Sequence, residues 1–161
     1  MLSNVIVNKI HLVLFHIMEK DDWNIEAAKA CSILVMLMKQ PTHAEHVLTQ
    51  SNTKSFKSAL SNVLTINPIN ERAVIECFRL FSQIHRFPMG RSIINSLEKC
   101  IHNAKKQLEN SIKEGRLPEG YSLEEITGLT RKNSNSAAKI LHMGKTIVGS
   151  ITPKDKDCVI C

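Results

Sequence analysis

The chain is poor in aromatic residues and has no long apolar run. Aromatic side chains make up 4% of the 161 residues, whereas hydrophobic residues of all kinds make up 43%. Leu, Ile, Val, Ala and Met therefore supply the apolar mass, and this composition suits helices better than sheets. Because no apolar run approaches the roughly 18 residues that a membrane-spanning helix needs, we expect no transmembrane helix.

The short motifs of common enzyme classes are also missing. The sequence contains no Gly-rich phosphate loop, no G-x-S-x-G and no H-E-x-x-H. His43 and His46 are three residues apart and could share a helix face, but no third metal ligand is identifiable beside them. We therefore expect a non-enzymatic protein with no metal or cofactor.

Five cysteines are present, an odd number at wide spacing. The N-terminus lacks the basic segment and small-residue cleavage site of a secretory signal. Both features indicate a cytoplasmic protein with reduced thiols. Cys31, Cys77 and Cys100 each stand alone among apolar residues, so core packing is the expected role of each. Met36, Met38 and Met89 also fall at helical core spacing.

Hydrophobic periodicity predicts helices along the whole chain. The expected segments are 2–18, 25–40, about 44–50, 54–65, the helix that Asn67–Glu71 opens and that runs to about Arg86, 90–114, 122–128 and 136–150. The first of these is apolar over most of its circumference, with a narrow polar stripe at Asn4, Asn8 and His11. A helix of this kind requires burial on several sides, which predicts self-association through residues 2–18.

Several helix ends carry recognisable signals. Pro41 and Pro88 should each stop the helix that precedes them. The segment Asn67–Glu71 supplies a cap, a proline for the first helical position and an acidic residue near the positive helix end. Gly115 is placed as a C-cap, and Ser122 with Glu125 forms a capping box.

Two stretches of the chain align at an offset of 46 residues. They are 24–41 and 70–88, and their apolar positions coincide: Ala27 with Ala73, Cys31 with Cys77, Leu34 with Leu80, Val35 with Phe81 and Met38 with Ile84. Each unit consists of a long helix, a proline break, a short helix and another long helix. A helical period of about 40 to 47 residues is typical of stacked solenoids.

On these residues the chain resembles the armadillo/HEAT superfamily of helical repeats over roughly residues 24–112. The resemblance implies an all-α solenoid of about two repeats that binds peptides or other helices along its surface. We expect a helical repeat domain over residues 1–128, a linker and amphipathic helix over 129–151, and a flexible tail over 152–161.

The last four residues, Cys158-Val159-Ile160-Cys161, match the C-a-a-X prenylation signal, with Cys158 as the lipid acceptor. The same residues also form a C-x-x-C, whose spacing serves zinc and redox sites. Two cysteines on an unmodified tail are a further alternative. Prenylation would place the chain on the cytoplasmic face of a membrane.

Positive charge is concentrated beside this signal. Residues 128–161 carry six Lys/Arg against two Asp/Glu, which is four of the total net charge of +6. A basic patch is a common second membrane signal beside one prenyl chain. The expected membrane-proximal residues are Lys139, Lys145, Lys154 and Lys156. Residues 137–151 also form an apolar stripe that either lies on a membrane or caps the repeats.

The sequence thus predicts a scaffold for protein partners, tethered through Cys158. One alternative is a soluble C-terminal portion of a larger solenoid that assembles through its first helix, and another is a C-x-x-C redox or zinc protein. Lysines interleaved with glutamates over residues 98–114 indicate a solvent-exposed face, and we expect no nucleic-acid partner.

Overall fold

The computed structural model describes residues 4–20 and 24–131, with the backbone alone at residues 4–8 and 24. These residues form helices joined by turns, and none of them lies in a strand, which confirms the predicted all-α class. The helices are α1 (Asn4–Met18), α2 (Asn24–Met38), α3 (Pro41–Val47), α4 (Gln50–Thr65), α5 (Glu71–Ile84), α6 (Pro88–Ser96), α7 (Glu98–Lys113) and α8 (residues 123–131).

The helices α2, α5 and α8 lie side by side in one row. The sulfur atoms of Cys31 and Cys77 are 3.8 Å apart, and these residues are separated by 46 positions. At the carboxyl end of α2, Arg86 donates to the carbonyl of Met38 at 2.7 Å, and these two residues are 48 positions apart in the chain. Because the separation stays nearly constant along the pair, α2 and α5 run parallel.

The helix α8 continues this row beyond α5. Tyr121, just before α8, donates to Glu76 at a separation of 45 residues, and Glu125 pairs with Arg79 at a separation of 46. The same sequence distance therefore relates α8 to α5 and α5 to α2.

The helices α1 and α4 form a second pair that runs the opposite way. Asn62 donates to the carbonyl of Met18 at 3.0 Å, so the two helices end at the same level. A small cavity there is bordered by the ends of α1 and α4 and the starts of α2 and α5. The rings of Phe15 and Phe56 stack at 4.8 Å between α1 and α4.

The hydrophobic core lies between these rows, with α5 at its centre. Nine residues of α5 are buried, and the shared apolar positions of α2 and α5 are all buried as the alignment predicts. Cys31 and Cys77 are fully buried, which confirms their core role. Cys100 is half-buried against the core.

Proline marks three helix boundaries. The helices α2 and α5 end before Pro41 and Pro88, as predicted, and each proline is also the first residue of the next helix, where the missing N–H has no intrahelical partner to lose. The prediction of a proline at the first position of α5 is wrong, because Pro68 lies before the helix and the cap is Asn70, whose side chain accepts from the amide of Ala73 at 3.1 Å.

The predicted single helix over residues 90–114 is wrong. The chain leaves helical geometry at Leu97, with φ −105° and ψ 9°, and this break separates α6 from α7. Leu97 is buried there, and so is Ile93 one turn earlier. Neither glycine nor proline marks the position, because tertiary packing of two apolar residues sets it.

The end of α7 and the start of α8 follow local signals. Gly115 has φ +82°, and the amides of Gly115 and Arg116 bond back to Ile112 and Ser111, as in a Schellman motif. The hydroxyl of Ser122 accepts from the amide of Glu125 at 3.2 Å, which confirms this half of the capping box. The helix predicted to end near Gly128 continues to residue 131.

The polar stripe predicted on α1 is wrong at His11. This residue is 1% exposed, and its ring meets Phe15 edge-on at 5.4 Å and His46 at 6.1 Å. The neighbouring Leu12 and Val13 face solvent instead. A helix that is apolar nearly all round carries little periodic signal, so the packing partners choose its buried face.

Candidate interaction surface

Exposed apolar side chains are concentrated on two helices. Seven large hydrophobic side chains are exposed among the residues described, and five of them lie on α1 and α2. We define the α1–α2 apolar surface by these five: Leu12, Val13, Ile25, Ile33 and Met36. The other two, Leu117 and Leu123, lie near the start of α8. Exposed apolar clusters on a folded protein often mark contact sites.

The helix α2 carries large apolar side chains on its buried side and, beside the exposed Lys29, on its outer side. Its buried side includes Cys31, Leu34 and Met38. Its outer side carries Ile25 at 67% exposure and Met36 at 64%, so the prediction of a core role for Met36 is wrong. Burial of one such side chain contributes roughly 1.5–3 kcal/mol. This free energy is not used by the fold and is open to a partner.

The positions of α5 that align with these residues of α2 are polar. At the offset of 46, Ile25, Ile33 and Met36 correspond to residues of α5 that are polar: Glu71, Arg79 and Ser82. The equivalent helix therefore folds and packs with polar residues there. The apolar side chains on α2 are thus a property of its outer surface.

A polar network holds α8 to α5, at the other end of the row from α2. Glu76 is 3% exposed, and its Oε1 accepts from Tyr121 Oη at 2.6 Å and from Arg79 Nη1 at 2.7 Å. The Arg79 guanidinium also pairs with Glu125 and lies 5.0 Å above the Tyr121 ring. Burial and the hydrogen bond to Glu76 raise the pKa of Tyr121 to about 12. The network therefore fixes the start of α8 against α5.

The Cys77 thiol is buried between α2 and α5. The sulfur contact with Cys31, followed by burial, raises the pKa of the Cys77 thiol well above its ordinary value. The nucleophilic form of a cysteine is the thiolate, so this environment suppresses its chemistry. The pair functions as core packing.

The histidines do not assemble a metal site. His46 faces His11, while His43 is half-buried on the same short helix α3. Over residues 9–20 and 25–131, no group of three or more His, Cys, Asp or Glu side chains could hold a metal ion.

The predicted lipid and membrane residues lie outside the described part of the chain. They are Cys158, Lys139, Lys145, Lys154 and Lys156, and the predicted helix 136–150 and tail 152–161 lie there too. Among the helices that the structure describes, none is both long and apolar enough to cross a bilayer.

Sequence reasoning missed Ile25, Ile33 and Met36 as surface residues. The signal was available in the aligned repeats, since an apolar residue in one unit faces a polar one in the other at each of these positions. No known protein family, curated protein or solved structure matches the chain.

Proposed function

We propose that this protein is a non-enzymatic scaffold that binds protein partners through the α1–α2 apolar surface. Its architecture would be two stacked units of the armadillo/HEAT kind, each made of a long, a short and another long helix. A prenyl group on Cys158 would tether it to the cytoplasmic face of a membrane.

The repeat architecture is supported by contacts between equivalent positions. Cys31 meets Cys77 at a separation of 46, and Tyr121 and Glu125 meet α5 at separations of 45 and 46. In a solenoid each unit contacts its neighbours, so contacts recur at the repeat length. The lengths of α2, α3 and α4, at 15, 7 and 16 residues, also parallel those of α5, α6 and α7, at 14, 9 and 16.

The observation that carries the binding function is the apolar outer side of α2. Ile33 and Met36 are 43% and 64% exposed, where α5 carries Arg79 and Ser82. Water-exposed apolar side chains that the fold does not need are expected at a contact site. A partner that presents an apolar helix would bury them.

The proposed function can be tested by giving α2 the polar residues that α5 carries at the aligned positions. The variant Ile33→Arg with Met36→Ser gives α2 the polar residues of its equivalent helix, so we expect it to fold. In extracts of eukaryotic cells, the wild-type protein should elute in complexes larger than its own 18.1 kDa. The double variant should shift to the monomer, whereas Leu117→Ser with Leu123→Ser should elute like the wild type. Monomeric elution of the wild-type protein would contradict the proposal.

The tether requires its own measurement. Intact mass after expression in eukaryotic cells should show a farnesyl or geranylgeranyl adduct, and Cys158→Ser should abolish both the adduct and membrane pelleting. An unmodified wild-type chain would remove the tether and leave the scaffold function standing.

Self-assembly through α1 is a second candidate, favoured by Leu12 and Val13 at 49% and 57% exposure. The purified wild-type chain should then associate with rising concentration in sedimentation equilibrium. Val13→Asp should weaken this association, and Leu123→Asp, at a similarly exposed site near α8, should leave it unchanged. A monomer at every concentration would exclude this candidate.

A further inference from the structure

We infer that one edge of the helical rows docks on an anionic membrane surface through its basic side chains. The inference deepens the proposed membrane tether and rests on it. Its site lies entirely in the described residues, at the end of the fold where α2 and α5 terminate and where the described part of α8 ends.

The geometry of the rows defines this edge. Because α2 and α5 are parallel, their carboxyl ends lie together, as the bond from Arg86 to the Met38 carbonyl shows. By the offset of 46, residues 128–131 of α8 lie at the same level. The helix α4 ends at the opposite edge, where Asn62 meets Met18, so α4 begins at this one. The edge therefore comprises residues 36–57, 83–99 and 128–131.

Charge is segregated between the two edges. We call the edge just defined the basic edge. It carries seven Lys/Arg against Glu45 and Glu98. All seven are exposed: Lys39, Lys54, Lys57, Arg86, Arg91, Lys99 and Arg131. The opposite edge, residues 19–20, 24–27, 65–73 and 113–119, carries five Glu against four Lys/Arg. The net charges are about +5 and −1 from these counts.

Helix dipoles explain the positive charge at some of these positions and not at others. Basic residues at the carboxyl ends of α2 and α5, such as Lys39 and Arg86, complement the negative helix ends. Lys54 and Lys57 lie beyond the first turn of α4, so the dipole of their own helix does not account for their positive charge.

A lipid surface fits this edge better than a small anionic ligand. The basic residues are distributed across the ends of several helices, and the small cavity bordered by Met18 and Asn62 lies at the other edge. Broad, flat positive charge is what an anionic leaflet attracts. Residue 131, where the described residues end, lies on this edge, and the sequence continues from there into the basic segment that carries Cys158.

The test uses the full-length, unprenylated chain from bacteria and large unilamellar vesicles. Vesicles of phosphatidylcholine with about one third phosphatidylserine should pellet the protein, and vesicles of phosphatidylcholine alone should not. Raising NaCl from about 0.05 to 0.3 M should weaken the binding, because the Debye length falls. Lys54→Glu with Lys57→Glu should lower the partition coefficient by about tenfold or more.

The control variant, Lys20→Glu with Arg72→Glu, changes the net charge equally at the opposite edge and should bind like the wild type. Equal losses in the two variants would reduce the effect to total charge and overturn the proposal. Absence of binding to phosphatidylserine vesicles would overturn it too, as would equally tight binding of soluble poly-glutamate. Prenylation, measured by intact mass in eukaryotic cells, is independent of these variants, so tether and docking can fail separately.

Discussion

The sulfur atoms of Cys31 and Cys77 lie 3.8 Å apart, although 46 positions separate the two residues in the chain. Both residues are fully buried where α2 packs along α5. The two cysteines hold the same position in the apolar patterns that α2 and α5 share, so the contact joins aligned positions of two neighbouring parallel helices.

The first prediction concerns the reactivity of these thiols. Because the contact with Cys31 and burial raise the pKa of Cys77, native protein should alkylate at half-buried Cys100 well before either. Peptide mass spectrometry after timed iodoacetamide treatment measures the order. All three should react alike in denaturant. Faster modification of Cys77 than of Cys100 in native protein would contradict the packing described here.

The features of the fold that the sequence predicts are those set by residues close together in the chain. The offset of 46 was readable because the core positions of α2 and α5 repeat the same apolar pattern, and Gly115 and Ser122 act through neighbouring amides. These are short-range signals.

Long-range packing decided the features that the sequence did not reveal. The break at Leu97 and the burial of His11 depend on residues far away in the chain. The same holds for the candidate surface. Whether Met36 is core or surface depends on which side of α2 meets α5, and an apolar residue alone does not encode it.

The second prediction concerns the polar network that holds α8 to α5. Tyr121→Phe removes a donor from the buried Glu76 carboxylate, while the bond from Arg79 remains. We expect a loss of about 1–2 kcal/mol in the free energy of unfolding. Urea denaturation measures it, and Tyr121→Leu should cost more because the ring also packs beneath Arg79.

The same hydrogen bond predicts a pH dependence. The pKa of Tyr121 is raised from an ordinary value of 10 to about 12, first by burial and then by Glu76. The folded state therefore holds this proton more tightly, so its contribution is complete below pH 10 and is lost as the pH rises towards 12. Wild type should lose more stability than Tyr121→Phe over this interval. Parallel pH profiles would refute the assignment.

The third prediction concerns a contact between units. Arg86 donates to the carbonyls of Met38 at 2.7 Å and Lys39 at 3.4 Å, so α5 supplies the cap for the end of α2. Arg86→Gln should lower the free energy of unfolding by about 1 kcal/mol, since charge and reach are both lost. Arg116→Gln is the matched control, because Arg116 is exposed and pairs only locally with Glu114. Equal effects of the two variants in urea denaturation would exclude an interunit cap.

The fourth prediction concerns the turn from α5 into α6. A Cβ atom at Gly90 would lie 1.9 Å from the carbonyl oxygen of Ile84, so the two backbones approach this closely only with glycine. Gly90→Ala should therefore destabilise the protein by about 3 kcal/mol or more, although alanine normally favours a helix.

Gly128 provides the matched control for this effect. It lies within α8, and a Cβ there meets nothing within 4 Å. Gly128→Ala should raise the free energy of unfolding by about 0.5–1 kcal/mol, in line with helix propensity. Urea denaturation of both variants measures effects of opposite sign. A neutral or stabilising Gly90→Ala would mean that α6 does not pack against the end of α5 as closely as described.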